Sequence, residues 1–290
     1  MNTSNLAAAG RAAAAVLAIF AMAATADAQT QPKDQQFTPQ VGQAGKDVIW
    51  VPTPQELVDR MLNMAQTTPN DFVIDLGSGD GRIAITAAKK FGARSLGIEY
   101  NPDMVELSNR NAAKEGVTGK ANFTRADIFE TDFSRATIIT MYLLPGLNLK
   151  LRPKILEMKP GTRVVSHQFN MDDWPPDEVS NLDGRRAYFW LVPAKVQGMW
   201  RIQVGAEAYE MVLEQRYQAF EGSIRIGSVL AGLRDARLQA DRISFAFIDN
   251  AGVRRDFTGR VNGSAMEGTV KPENGPEARW TAARHAKEGG

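Results

Sequence analysis

The 290-residue chain contains no cysteine. That excludes disulfides, thiolate metal sites, a cysteine nucleophile and a lipobox-type lipid anchor. Histidine is nearly absent as well. With only His167 and His285 available, an imidazole cluster lacks the ligands it needs, and no metal is expected. Excess charge of either sign is missing: 34 Lys and Arg stand against 33 Asp and Glu. No bulk attraction to nucleic acid or to an anionic membrane follows from such a balance, so a nucleic-acid partner is not expected. The apolar run 12–24 is too short to span a bilayer. It does follow Arg11 and precede Ala26-Asp27-Ala28, which together have the form of a secretory signal peptide. Residues 1–28 are therefore expected to be removed near Ala28, leaving a mature chain without a spanning segment in the periplasm or secreted.

Residues 29–45 are polar, carry Pro32, Pro39, Gly42 and Gly45, and read as a flexible linker. Val51-Pro52-Thr53-Pro54 then gives an extended approach to a helix over 55–65, with Thr53 as its N-cap. From Phe72 the pattern alternates strand and helix. Strands are expected at 72–74, 95–100, 121–126, 136–142 and 163–167, with helices from 82, 101 and 145 between them. Residues 186–192 read as a last strand returning along the sheet edge. Such alternation predicts an α/β domain over 46–194, a Rossmann-like sheet with helices on both faces. Beyond Pro193 the apolar residues alternate singly. Short runs around Trp200, Tyr209, Ile224, Phe245, Phe257, Met266 and Trp280 are separated by Gly, Asp and Asn turns. They predict a smaller antiparallel β-barrel or β-meander over 195–290.

The densest signal is the first strand and its loop, Val73-Ile74-Asp75-Leu76-Gly77-Ser78-Gly79-Asp80-Gly81-Arg82. Glycines allow a sharp turn and close approach of the backbone to a ligand, and the following helix offers its first amides. A dinucleotide fingerprint begun at Gly77 would need Gly at position 82, which is Arg. A phosphate loop would need a Gly-Lys-Ser/Thr run, which is missing here. Asp75 and Asp80 would repel a pyrophosphate but suit a ligand with a cationic end. In a doubly wound sheet ligands sit across the carboxyl ends of the strands. Glu99 closes the second strand, where an acid accepts vicinal ribose hydroxyls, and Asp127 follows the third, with Ile128 beside it.

The glycine loop resembles motif I of the class I S-adenosylmethionine (SAM) methyltransferases. SAM is the cofactor this resemblance implies, with Gly77, Ser78, Gly79, Asp80 and Gly81 around it and Asp127 at the adenine amino group. Val-Pro-Thr-Pro at 51–54, Gly-Ser-Gly-Asp-Gly-Arg-Ile at 77–83, Gly-Ile-Glu-Tyr-Asn-Pro at 97–102, Arg-Ala-Asp-Ile-Phe at 125–129, Met-Tyr-Leu-Leu-Pro at 141–145 and Val-Val-Ser-His-Gln-Phe at 164–169 narrow it. In that order they are similar to the seven-β-strand protein-lysine methyltransferases acting on the ADP/ATP carrier and the ATP synthase c-subunit. The resemblance covers about residues 50–192. It implies that Thr53 and its neighbours fold over the cofactor and that Tyr142 faces the acceptor. His167, at the end of the fifth strand, is the second candidate catalytic residue, as a base. The Asn/Asp-Pro-Pro-Tyr motif of amine-directed nucleic-acid enzymes is absent.

The expected activity is methyl transfer to an amine, with a protein lysine as one acceptor. The alternatives are a small-molecule acceptor, or an exported binding protein that keeps the fold without catalysis. Gly198-Met199-Trp200 is similar to the first strand of lipocalin-like barrels, with Arg279 or Arg284 expected to pack over the Trp. Composition and pattern do not fix the oligomeric state.

Overall fold

The structure is a computed structural model, and it describes residues 37–285. The expected signal peptide, and the linker residues before Phe37, lie outside the described residues. No helix among the described residues is long and apolar enough to cross a membrane.

Among the described residues, sixteen strands form two sheets, and four helices accompany the first. The first sheet contains β1 (Phe72–Leu76), β2 (Arg94–Glu99), β3 (Ala121–Arg125), β4 (Ile138–Met141), β5 (Arg163–His167), β6 (Glu178–Leu182) and β7 (Arg185–Leu191). Its order is β3-β2-β1-β4-β5-β7-β6. The first five strands run parallel, and β7 is antiparallel to β5. Alternate residues of the central strands enter opposite cores. Val73, Ile138 and Val165 meet α1 (Gln55–Met64) and α2 (Arg82–Phe91) on one face. Ile74, Ile139 and Val164 meet α4 (Pro145–Leu156), Trp174 and Trp190 on the other. α3 (Pro102–Lys114) packs beside α2 through Ala112, with Val117 just beyond its end in the same cluster.

Three details differ from the sequence reading. The last strand is not at the edge, because residues 178–182 pair with β7 as a hairpin and take the edge themselves. Their burial is slight, so no apolar alternation marks them. Thr53 does not cap α1; Pro54 holds that position, with no side-chain cap. Residues 37–45 are not a free linker. Gly42 N donates to Trp50 O at 2.9 Å, Trp50 N to Gln43 O at 2.9 Å and Gly45 N to Val48 O at 2.9 Å. These bonds fold residues 40–50 into a small hairpin.

The second sheet has nine antiparallel strands, β8 (Gly198–Val204) to β16 (Ala278–Arg284), in the order β11-β10-β9-β8-β16-β15-β14-β13-β12. β11 (Val229–Gly232) and β12 (Arg234–Gln239) were not legible, because nearly all of their side chains are exposed. They are consecutive in the chain yet lie on opposite edges of the sheet, so one segment bends across the gap and nearly closes a barrel. The interior is filled by Trp200, Met211, Phe245, Phe247, Phe257 and Trp280. Arg284, not Arg279, lies over the Trp200 ring at 4.3 Å and donates to the carbonyls of Lys195 and Gln197.

The barrel is reached from the end of β7, which pairs with the start of β5 at Leu191 and Arg163. It is anchored by Trp174 stacked on Tyr217 at 5.8 Å, and by Asp173, which binds Arg152 and Arg216. Those two guanidiniums, Arg216 first, hold the Asp173 carboxyl down at about 2.

Candidate active site

The carboxyl ends of β1, β2 and β4 and the hairpin 40–50 enclose a cavity of about 310 Å³. Thr53, Asp75, Gly77, Ser78, Gly79, Asp80, Glu99, Asp127, Ile128 and Tyr142 all line it. Gly81 and His167 do not. No residue of the nine-stranded sheet reaches it.

The glycine loop is shaped by its own hydrogen bonds. The amides of Gly77 and Ser78 donate to Ile98 O at 2.9 and 3.1 Å, which ties the turn to β2. Gly79 has φ +54, and a Cβ there would lie 2.7 Å from Trp50 Nε1, so only glycine lets the hairpin close on the loop. Gly81 serves packing instead. It is the left-handed N-cap of α2, and a Cβ on it would strike Phe123 at 2.7 Å. The Ser78 hydroxyl is buried without a hydrogen-bond partner and sits beside Gly97, where an added Cβ would lie 2.5 Å from it.

The acids take distinct roles. Asp75 is 2% exposed and accepts from Thr140 Oγ1 at 2.7 Å. Burial pushes its carboxyl up to about 7, and the nearby Asp80 and Glu99 add to the shift. Asp80 does not wait for a cationic ligand. It is clamped by Arg82 at 2.6 Å, and Arg82 also donates to Thr53 O at 2.7 Å. The ion pair thus pins the upstream segment to the glycine loop. Glu99 accepts from Gly79 N at 3.0 Å and Asn101 N at 2.9 Å, one bond to each oxygen. A carboxylate has about four acceptor directions, so capacity for hydroxyl donors is left. Asp127 accepts from Phe129 N at 2.9 Å and is paired with Lys46. Lys46 and Phe129 hold its carboxyl below the usual range.

Tyr142 and Phe169 form the aromatic wall, their ring centroids 6.3 Å apart. His167 lies behind Tyr142 with centroids 3.8 Å apart, is 2% exposed, and pairs through Nδ1 with Thr53 Oγ1 at 3.0 Å. Burial, with Arg185 second, pulls its pKa down to about 4, so it is neutral at physiological pH and a poor proton acceptor. The structure thus places the expected base outside the cavity lining, behind the Tyr142 ring. His167 holds Thr53 and backs the Tyr142 ring. Sequence reasoning missed Lys46, Trp50 and Phe169. The first two lie just after a segment whose composition resembles a linker, and Phe169 follows the last periodic strand residue.

The residues present fit SAM. Its sulfonium and ammonium charges match a wall with five acids, Asp47, Asp75, Asp80, Glu99 and Asp127, and two cations, Lys46 and Arg82, both already paired. Its ribose suits Glu99, and the glycines permit close approach without phosphate-binding cations.

Comparison with known proteins agrees. The ANTKMT methyltransferase domain family matches residues 75–178. A protein-lysine N-methyltransferase of Saccharolobus islandicus (strain REY15A) is 47% identical over 138 residues, which span 47% of this chain and 86% of that protein. The chain belongs to this methyltransferase family. The human lysine N-methyltransferase of the ATP synthase c-subunit is 35% identical over 132 residues, 45% of this chain and 56% of that protein. The match thus spans little more than half of the human relative's length. Among solved structures, an RNA methyltransferase from Salinibacter ruber in complex with S-adenosyl-L-homocysteine shares 49% identity at a TM-score of 0.50. That match covers 50% of this chain and 96% of that one. The enzyme is a SAM-dependent methyltransferase, and the matched regions account for only about half of it.

Proposed function

We propose that this methyltransferase acts on the side-chain amine of a protein lysine. When bound, SAM supplies an electrophilic methyl group on a sulfonium. The chain's own residues prepare for that reaction. Asp75 offers a buried carboxylate to a cationic group, Glu99 accepts from hydroxyls, and Asp127 accepts from an amino donor.

The observation that carries the lysine reading is the acceptor wall. Tyr142, Leu144, Phe169 and Val51 present aromatic and aliphatic surface in the cavity wall, and no imidazole. An amine must lose its proton before it attacks, and desolvation against such a wall lowers its pKa without a histidine base. The names of the archaeal and human relatives point the same way. An RNA acceptor, which the name of the Salinibacter protein implies for that enzyme, is less well supported here. Among the described residues, Lys46 and Arg82 are the only cations in the cavity wall. Both are engaged by carboxylates, so the cavity wall offers no unpaired cation to a phosphate. We also propose export, on the strength of Arg11, the run 12–24 and Ala26-Asp27-Ala28.

The test is transfer of a labelled methyl group from SAM into an envelope-protein extract by the full chain, with Glu99→Ala as control. Mass spectrometry should place the label on lysine Nζ. Label recovered in RNA, or in no protein lysine, would refute the reading. N-terminal sequencing of the protein from a fractionated cell tests export.

A further inference from the structure

The hairpin 40–50 carries a cation into the cofactor cavity. Its tip is the turn from Gly45 to Val48, a turn that excludes any side chain at Gly45, where a Cβ would lie 2.4 Å from Val48 O. Lys46 stands at that tip. Its ammonium binds Asp127 Oδ2 and lies 4.8 Å from the centre of the Tyr100 ring. The base of the hairpin is fixed by Trp50 against Gly79, and the segment after it by the bond from Arg82 to Thr53 O. The tip is held by Lys46. Asp127 has one oxygen on the Phe129 amide and the other on Lys46. An amino donor arriving at the second oxygen therefore meets the Lys46 ammonium already on that atom.

We infer that Lys46 is the clasp of a strap over the cofactor cavity. It holds Asp127 in the free enzyme and yields it when the adenine amino group binds, so it sets the rate of cofactor association. The inference rests on the reading of Asp127 as the adenine acid. It goes beyond that reading by giving the strap a competing group. The pair is partly exposed, with side-chain exposures of 35% and 23%, so it is open to solvent and weakens with salt. Its role is kinetic. Asp127 also keeps the Lys46 ammonium protonated above its ordinary range, which depresses its reactivity as a nucleophile while the clasp is shut.

Two measurements on the full chain test this. The first is acetylation of lysines by an amine-reactive ester, quantified residue by residue with and without saturating S-adenosylhomocysteine. Ligand should raise Lys46 labelling about three- to tenfold, as the amine is released, and leave Lys114 and Lys159 unchanged. A fall in Lys46 labelling on binding would overturn the proposal. The second is stopped-flow association of S-adenosylhomocysteine, a net-neutral zwitterion free of long-range steering. In the wild type the association rate should rise with ionic strength. Lys46→Met should be faster by roughly three- to tenfold and insensitive to salt. An association rate equal to wild type in Lys46→Met would overturn it as well. Should the wild type bind no S-adenosylhomocysteine by calorimetry, the cofactor reading itself fails. The clasp is still tested by Asp127→Asn, which should raise Lys46 labelling in the ligand-free chain; unchanged labelling would show that there is no clasp.

Discussion

In the parallel sheet the ends of β1 and β2 carry Asp75 and Glu99 into a cavity. In the nine-stranded sheet the interior is closed by Phe245, Phe257 and Trp280, whose rings pack 4.9 to 5.9 Å apart. Buried polar groups follow the same division. Trp280 Nε1 donates to Thr258 O and Thr269 O, at 3.0 and 3.1 Å, and Trp200 Nε1 to Val196 O at 2.7 Å. Among the described residues, the two buried side-chain atoms left without a partner, Ser78 Oγ and Asn148 Oδ1, belong to the methyltransferase sheet and its helices. The barrel interior is closed by packed rings, whereas the ends of the parallel strands keep charge and space for a ligand. The barrel is attached near the amino end of β5, and none of its residues lines the cofactor cavity.

Removing a barrel ring probes that separation with the largest expected effect. Phe257 is 1% exposed, and Phe257→Ala should cost about 3–5 kcal/mol of stability by lost burial and the cavity left behind. The affinity for S-adenosylhomocysteine should stay within about twofold, because no barrel residue lines the cofactor cavity. Denaturant unfolding and calorimetry on the same sample measure both. A tenfold loss of affinity would show that the two regions are coupled.

The reverse signature is expected of Asp75. Its folded pKa, about 7, lies above the ordinary value of 3.8, so the folded chain holds the proton more tightly than the unfolded chain. The ionisation penalty therefore begins as pH rises above about 4 and is complete above about 7. At 1.36 kcal/mol per unit its ceiling is about 4 kcal/mol. Asp75→Asn should stabilise the protein by a large part of that at pH 8 and by almost nothing at pH 4, while weakening SAM binding at least about tenfold at pH 8. In the wild type, SAM affinity should climb between pH 6 and 8 as Asp75 ionises. Thermal melts at the two pH values, with calorimetry across the range, decide it. A variant less stable than wild type at pH 8 would contradict the assignment.

The same contrast explains what the sequence disclosed. The glycine loop and the central strands β1, β4 and β5 were legible because those strands are buried on both faces, and because β1 runs into glycine and β2 ends in an acid. The structure places the acids at 75, 99 and 127 in one cavity wall, and their positions at strand ends are what made them stand out in the sequence. β6, β11 and β12 were missed because edge strands with exposed side chains carry no periodicity. The strap was missed because what orders it is the approach of Trp50 to Gly79 and of Lys46 to Asp127. The latter joins residues 81 positions apart. The surroundings of His167 were not legible, since its position at a strand end does not reveal that Tyr142 stands in front of it.

Glu99 gives an intermediate effect. Glu99→Gln keeps the shape of the side chain but removes the charge that binds the Gly79 and Asn101 amides and faces the cavity. Loss of hydrogen bonds to a charged group should cost about 1.5–3 kcal/mol in S-adenosylhomocysteine affinity. Stability should change little, because the carboxylate is only half-buried. An unchanged Kd by calorimetry would remove Glu99 from the cofactor site.

The smallest expected effect is the most specific to the boundary between packing and function. Thr53 is 4% exposed, and its hydroxyl meets His167 Nδ1 at 3.0 Å. Thr53→Val preserves shape but leaves a buried ring nitrogen without its partner, at a cost of about 1–2 kcal/mol. If His167 acts only by holding Thr53 and backing Tyr142, the variant should raise KM for the acceptor, since the wall is loosened. The pH profile of kcat should not move, because His167 stays neutral down to about pH 4 in either protein. His167→Gln, which keeps a polar atom near Thr53, should retain most of kcat. A loss of kcat by more than about a hundredfold in His167→Gln, with KM unchanged, is the scale of a lost general base and would return His167 to the chemistry.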